Sequence, residues 1–393
     1  MTAKKALKKI HLCLGLASGL LILFLGITGC ILAFETETRK LTENFRKVED
    51  KGEEWLLPSQ LKPIAEKQMQ SGKVIGIEYP GREKAAIASY YDENNYEIVF
   101  INPYSGEVIK HKNMKHDFFR IVLEGHYNLW MPHDIGQMIV CSGTLVFVIL
   151  MITGIILWWP KNKSARKQRF SIKWNASFKR KNYDLHNVLG FYMTWVAIFI
   201  AITGMAFGFK WVSQTIYFVS SGGEKMIEHK HPHSYPLNQN QIQNLPDLLW
   251  MKYVHGIAGN ESIGIYFAQL PDDPHEVVIN HRPGTYYKSD YFHFDQYSGK
   301  LLHAEGSYDG KFSEASIANK IVRMNYDMHV GAIFGLPGKI LAFLASLIAA
   351  SLPVTGFLIW RGKQKKKKAG LVQETREPIA YPLDEQSQVC LQS

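Results

Sequence analysis

Four apolar blocks stand out from an otherwise polar chain, at roughly Leu12–Phe34, Ile135–Trp159, Val188–Phe209 and Ile340–Trp360. Each approaches the ~20 residues that a helix needs to cross a ~30 Å hydrocarbon core, so the pattern predicts four transmembrane helices. The long polar stretches between blocks one and two, and between three and four, carry shorter periods. In the first, Pro58–Gln70 suits a helix, and Val74–Tyr79, Ala85–Tyr91 and Glu97–Ile101 read as strands that lead into the turn Asn102-Pro103-Tyr104-Ser105-Gly106. In the second, a helix is expected over Gln239–Leu249 and strands over Ile263–Gln269, Glu276–His281 and Tyr286–Phe294, followed by Asp295-Gln296-Tyr297-Ser298-Gly299. Both turns place the same Tyr, Ser and Gly between apolar runs, which is hairpin chemistry.

The halves of the chain therefore repeat. His11 stands seventeen residues before Thr28 and His186 seventeen before Thr203, so Ile27-Thr28-Gly29 and Ile202-Thr203-Gly204 occupy one register. Spans two and four match in turn, with Gly136 and Gly338 each eighteen residues before the glycine that closes Ile152-Thr153-Gly154 and Val354-Thr355-Gly356. Arg120 precedes His126 by six residues, as Arg323 precedes His329. The fold class is thus an α-helical membrane protein with four transmembrane helices in two tandem repeats, each with an inserted α+β domain.

Charge sets the orientation. The 393 residues include 45 Lys and Arg against 35 Asp and Glu. The basic surplus sits at Lys4, Lys5, Lys8 and Lys9, in nine Lys/Arg between Lys161 and Lys181, and in six between Arg361 and Lys368. All three clusters fall on one side of alternating spans, the positive-inside pattern for cytoplasmic termini, so the charge reports topology and contact with membrane lipid and no nucleic-acid partner is expected. Block one is too long for the apolar core of a signal peptide and ends without a small-residue cleavage site, so it reads as an anchor. Cys13, Cys30 and Cys141 lie in or beside spans, Cys390 lies in the tail, and no Cys pair has metal-ligand spacing, which argues against disulfides and thiol–metal sites. Trp130, Trp158, Trp159, Trp211 and Trp360 fit interfacial belts.

Of fifteen histidines, four flank the spans in duplicated register. His11 and His186 lie at the cytoplasmic mouths, His126 and His329 on the outer side, and ionisable groups at membrane depth are costly unless paired or liganded. Matched by height, His11 faces His186 and His126 faces His329. Two imidazoles across a helix bundle suit a b-type haem, so two non-covalent haems b are expected, one per pair, with Gly15, Gly19 and Gly190 giving room for the macrocycle. His133 is the alternative to His126, because the outer spacing to the following glycine is one residue longer in the first half. Arg120 and Arg323 are placed for haem propionates or lipid headgroups. Glu228-His229-Lys230-His231-Pro232-His233 alternates histidines on a loop with no fixed fourth ligand, a weak metal signal. No nucleotide- or flavin-binding signature occurs, so the reductant is quinol or a cytoplasmic reductase.

These motifs, in this order, resemble the PepSY-associated transmembrane family: His11 with Leu14-Gly15-Leu16, Ile27-Thr28-Gly29, the two Tyr-Ser-Gly turns, Asp184 with His186 and Leu189-Gly190, and Met328-His329 before Gly335-Leu336-Pro337-Gly338-Lys339. The resemblance implies a bacterial inner-membrane protein with periplasmic PepSY-like domains, in a family some of whose members look like haem-containing reductases of ferric siderophores. The division expected is an N-terminus and first span over 1–35, a first periplasmic domain over 36–133, spans over 134–160, 185–210 and 331–360, a basic cytoplasmic loop over 161–184, a second periplasmic domain over 211–330 and a cytoplasmic tail over 361–393. The function expected is inner-membrane electron transfer to a ferric siderophore or another periplasmic acceptor, for iron acquisition. The alternatives are a regulatory PepSY-domain binding protein without redox activity, or a chelate permease.

Overall fold

The computed structural model describes residues 2–160, 162–163, 166, 169–235, 242–257 and 261–374. Cys390, the first residues of the helix expected at Gln239–Leu249, and parts of the basic loop and tail lie outside them.

Four long helices carry the apolar blocks: α1 (Ala3–Ala33), α5 (His133–Trp158), α6 (Phe178–Gly208) and α10 (Gly335–Glu374). All four are long and apolar enough to cross a membrane, and at most 33 % of any apolar window is buried against protein, so most of each faces outward as lipid-exposed helices do. Helices α1 and α6 each pack on both α5 and α10, which closes a four-membered bundle. Small residues set the α1–α10 crossing: a Cβ on Gly26 would lie 2.8 Å from the Ala350 nitrogen and the Ser346 carbonyl, the close backbone approach that apolar helices use in place of hydrophobic drive.

The segment after α1 forms α2 (Glu35–Thr42), α3 (Pro58–Glu66), strands β1 (Gly76–Tyr79), β2 (Ala86–Tyr91), β3 (Tyr96–Ile101) and β4 (Val108–Asn113), then α4 (Phe118–Asn128). The segment after α6 forms α7 (Lys210–Ser221), α8 (Leu245–Val254), β5 (Ser262–Tyr266), β6 (His275–Asn280), β7 (Ser289–Phe294), β8 (Leu301–Leu302) and α9 (Ile317–His329). The turns close on Gly106 and Gly299, both at positive φ (77° and 68°), where glycine avoids a Cβ clash.

Two separate inserted domains were expected, and here the structure differs. The strands form one antiparallel sheet in the order β4-β3-β2-β1-β5-β6-β7-β8, fused where Ile77 of β1 pairs with Ile265 of β5. The reason is burial: β1 and β5 would each be an edge strand with a row of unpaired backbone groups, and pairing joins Leu61, Val74, Ile77, Val99, Ile263, Ile265 and Val277, each at most 1 % exposed, into one core beneath α3 and α8. Alternation splits β3 between two cores, with Val99 and Ile101 under α3 and Ile98 and Phe100 against Phe45 and Met114. On β7, Phe292 and Phe294 join the first core and His293 takes the opposite face.

Helices α4 and α9 are short and amphipathic, and each turns directly into a span. The turns need glycine: a Cβ on Gly136 would lie 1.8 Å from the Asn128 carbonyl oxygen, and one on Gly338 2.1 Å from that of Gly331. We expect Gly136→Ala to lower the thermal midpoint of the detergent-purified protein through overpacking worth about 1–3 kcal/mol. Gly15→Ala, where the nearest atom is 3.9 Å away, is the neutral control, and equal melting of the two variants would refute the crowding argument.

Candidate functional site

Each of the four flanking histidines meets a threonine on a different span. His11 Nδ1 lies 2.8 Å from Thr153 Oγ1, His186 Nδ1 2.9 Å from Thr355 Oγ1, His126 Nδ1 2.7 Å from Thr28 Oγ1 and His329 Nδ1 3.2 Å from Thr203 Oγ1. The glycine after each threonine faces the ring, so that a Cβ on Gly154, Gly356, Gly29 or Gly204 would lie 2.9–3.6 Å from the histidine Cε1. Four Thr-Gly steps thus seat four imidazoles.

The hydroxyls decide which nitrogen carries the proton. A threonine hydroxyl has one hydrogen, and here it is given back to the helix: Thr28 to the Phe24 carbonyl, Thr153 to Ile149, Thr203 to Phe199 and Thr355 to Ser351, at 2.8–2.9 Å. Each threonine oxygen therefore accepts from the imidazole, and Nδ1 is the protonated nitrogen. His329 makes the same case independently, because its Nδ1 is also 3.0 Å from the Ile200 carbonyl, which can only accept. Nε2 is left with its lone pair free, and no hydrogen bond reaches it in any of the four among the described residues. A metal-binding imidazole is arranged in this way, with one nitrogen anchored and the other offered.

Pairing follows from the bundle. The rings of His126 and His329 have centroids 6.4 Å apart at an interplanar angle of 56°. Two imidazoles sharing one metal at roughly 2 Å each place their ring centres roughly 6 Å apart, so the outer pair fits a single ion between them. His11 on α1 and His186 on α6 stand at matching heights at the other end of the bundle, each seated on its own Thr-Gly step. The seventeen residues from His11 to Thr28, and from His186 to Thr203, put the two levels about 25 Å apart along the helices.

Neighbouring residues hold the seats. In the second half an asparagine one turn before each histidine ties its helix to the matching step: Asn325 donates to the Thr203 carbonyl at 3.1 Å, and Asn182 to the Thr355 carbonyl at 3.0 Å. In the first half, α4 is fixed by its N-cap Asp117, which accepts from the Arg120 backbone N–H at 3.1 Å and takes the guanidinium of Arg39 and, at 2.7 Å, the ammonium of Lys112. Phe207 lies edge-on to His329, with centroids 5.7 Å apart.

Other expected positions fall elsewhere. His133 is exposed at the start of α5, against the Tyr127 ring, whereas His126 faces His329. The extra residue after His126 is absorbed by Leu129 and Trp130, both at positive φ (58° and 56°), where the second half uses Gly331. Arg323 is buried and donates to the Ser307, Ser289 and Asp309 carbonyls, so it organises the loop ahead of α9, and Arg120 pairs with Glu124 at 3.0 Å. Gly15, Gly19 and Gly190 face the side chains of Leu150, Pro353 and Leu352 and serve helix packing. Trp158 is buried and stacked on Phe191 at 3.8 Å, while Trp130, Trp159 and Trp211 are exposed at helix ends. In the sequence the Thr-Gly steps stand out only as a repeat. Their sequence signal is the shared register, each step lying one membrane-length from a histidine.

The sequence family described as PepSY-associated TM region matches residues 8–363. Comparison with curated proteins gives no match.

Proposed function

We propose that this chain, which belongs to the PepSY-associated TM family, is a membrane electron-transfer protein in which His11 with His186 and His126 with His329 hold two haems b, and that it reduces a ferric chelate on the outer side. One observation carries the reading: four imidazoles are each anchored through Nδ1 by a threonine that has already given away its only hydrogen, with Nε2 free. Bound between two imidazoles, a b-type haem supplies one-electron transfer without an open position for O₂. The chain's own residues fix the ring planes, hold the proton on Nδ1 and line the bundle with apolar side chains that keep water from the iron ligands.

In this reading the chain consists of two tandem span–α+β–span units whose strands share a sheet, with one histidine pair towards each membrane face. The basic clusters favour cytoplasmic termini in a bacterial inner membrane, which puts His11 and His186 on the side of the donor, a quinol or a cytoplasmic reductase, and His126 and His329 beneath the sheet on the side of the acceptor. Each Fe³⁺ takes one electron, so a quinol serves two chelates and releases two protons. A siderophore's hard oxygen ligands grip Fe²⁺ far less firmly, and reduction thereby frees the metal.

Haem quantification tests this directly. A pyridine haemochrome assay on protein expressed with haem available and purified in detergent should give about two haems b per chain. No haem would overturn the reading in favour of a regulatory PepSY protein or a chelate permease.

A further inference from the structure

A second cluster of imidazoles lies in the sheet layer, away from the four flanking histidines. His293 on β7 is paired directly across the ladder with Glu276 on β6, so both side chains leave the sheet on the face opposite the main core. The segment before α8 passes over this face. Lys230 forms an isolated bridge with Glu305, each backbone N–H donating to the other's carbonyl at 3.1–3.2 Å. In an extended segment residues two apart point the same way, so His229 and His231 both turn towards His293. Their rings are 4.7 Å apart, and the His231 ring is 5.6 Å from that of His293. One ligand atom from each of His231, Glu276 and His293 lies within 4.8 Å of the other two.

The buried member of the cluster points to a ligand. His293 is 0 % exposed, and neither ring nitrogen has a hydrogen-bond partner of good geometry. A buried polar group without a partner is costly, and Glu276 beside it makes no ion pair among the described residues. A cation placed between them would satisfy both. His229 donates from Nδ1 to the Glu305 carbonyl at 3.1 Å, which leaves its Nε2 available in the manner of a fixed metal ligand.

We propose that His231, Glu276 and His293 bind a divalent transition-metal ion of the zinc class, with His229 as the fourth ligand. Imidazoles with one carboxylate and no thiolate are a Zn²⁺ set, and softer thiol-seeking ions have nothing here to prefer. His233 takes no part, since it faces Asp272 at 3.4 Å. Because His231 and His229 come from the connecting segment while Glu276 and His293 come from the sheet, the ion clamps that segment onto strands β6 and β7. It also sits against the loop that Arg323 holds ahead of α9, with His229 packed on Tyr308 at 5.6 Å.

The test uses the full chain in detergent, equilibrated with ZnCl₂, freed of loosely bound metal and measured for zinc and iron together by mass spectrometry. One zinc per chain is expected in the wild type. His231→Ala, at an exposed ring, and Glu276→Gln, nearly isosteric, should each weaken zinc binding at least about tenfold without changing haem iron per chain. His293→Ala should abolish binding, and if that variant does not fold the other two still decide. Wild-type protein that retains no zinc, or variants that retain it with unchanged affinity, would overturn the proposal. Wild-type protein that holds one zinc but no haem iron would count against the haem reading and leave this one standing.

Discussion

Replacing His126 by alanine is expected to remove one haem of two, cutting haem b per chain by about half and abolishing reduction of ferric chelates while the spectrum of the remaining haem persists. His126 and His329 face each other at 6.4 Å, and no other described imidazole stands ready to replace either one; His133 is turned away against Tyr127. His11 and His186 lie about 25 Å away along the bundle on different Thr-Gly steps, so their site does not share a ligand with the outer one. His329→Ala should reproduce the effect, and His11→Ala should remove the other component instead. Difference spectra of the reduced and oxidised variants read this out. If a folded His126→Ala protein keeps both haems, the outer pair is not a ligand pair. Loss of both from every variant would mean that the two levels do not bind independently.

The threonines provide a finer version of the same test. Thr28→Val keeps the shape and removes the acceptor of the His126 Nδ1–H bond, so the ring loses its preferred tautomer and orientation while Nε2 remains. Losing such an outer partner typically weakens metal binding 10–100-fold, so the variant should retain haem at saturation yet release it sooner to an apo-globin acceptor than the wild type does. Unchanged release would reduce Thr28 to a packing residue.

The spans were legible because lipid demands ~20 apolar residues in a row, and among the described residues no other helix is long and apolar enough to compete with that signal. The histidines were legible as a set because their spacings to threonine and arginine recur in the two halves of the sequence. Their partners were not. Thr28 sits on α1 and grips a residue 98 positions away on α4, a contact that depends on which helices become neighbours. The fusion at Ile77 and Ile265 was hidden for the same reason: both strands read correctly alone, and only the cost of two free edges makes them pair. The alternating histidines at 229–233 gave only a weak metal signal in sequence, because Glu276 and His293, which lie close to His231 in the fold, sit on strands more than forty residues later.

The polar layer between bundle and sheet leads to a second large effect. Asp117→Asn should lower stability by about 3 kcal/mol, because removing one partner of a buried ion pair strands the other. Arg39 and Asp117 are 9 % and 7 % exposed, and the same carboxylate takes Lys112 at 2.7 Å. Asparagine caps a helix nearly as well as aspartate, so α4 keeps its start and the loss isolates the charge. Burial raises the carboxyl of Asp117, but the hydrogen bonds from Arg39 and Lys112 outweigh it and hold the group far below the usual carboxylate range; Glu43, bound by Lys112 and Arg46, is lowered too. A depressed folded value means that the unfolded chain takes up protons first. The contribution is therefore complete above the unfolded value near pH 4 and fades as pH falls below it. Thermal midpoints measured from pH 7 to pH 3 should drop steeply at the acid end for the wild type and less so for Asp117→Asn, whose curve is already lower at neutrality. Parallel curves would show that the network does not couple to folding, and that α4, with His126 at its end, is held in place by its apolar face alone.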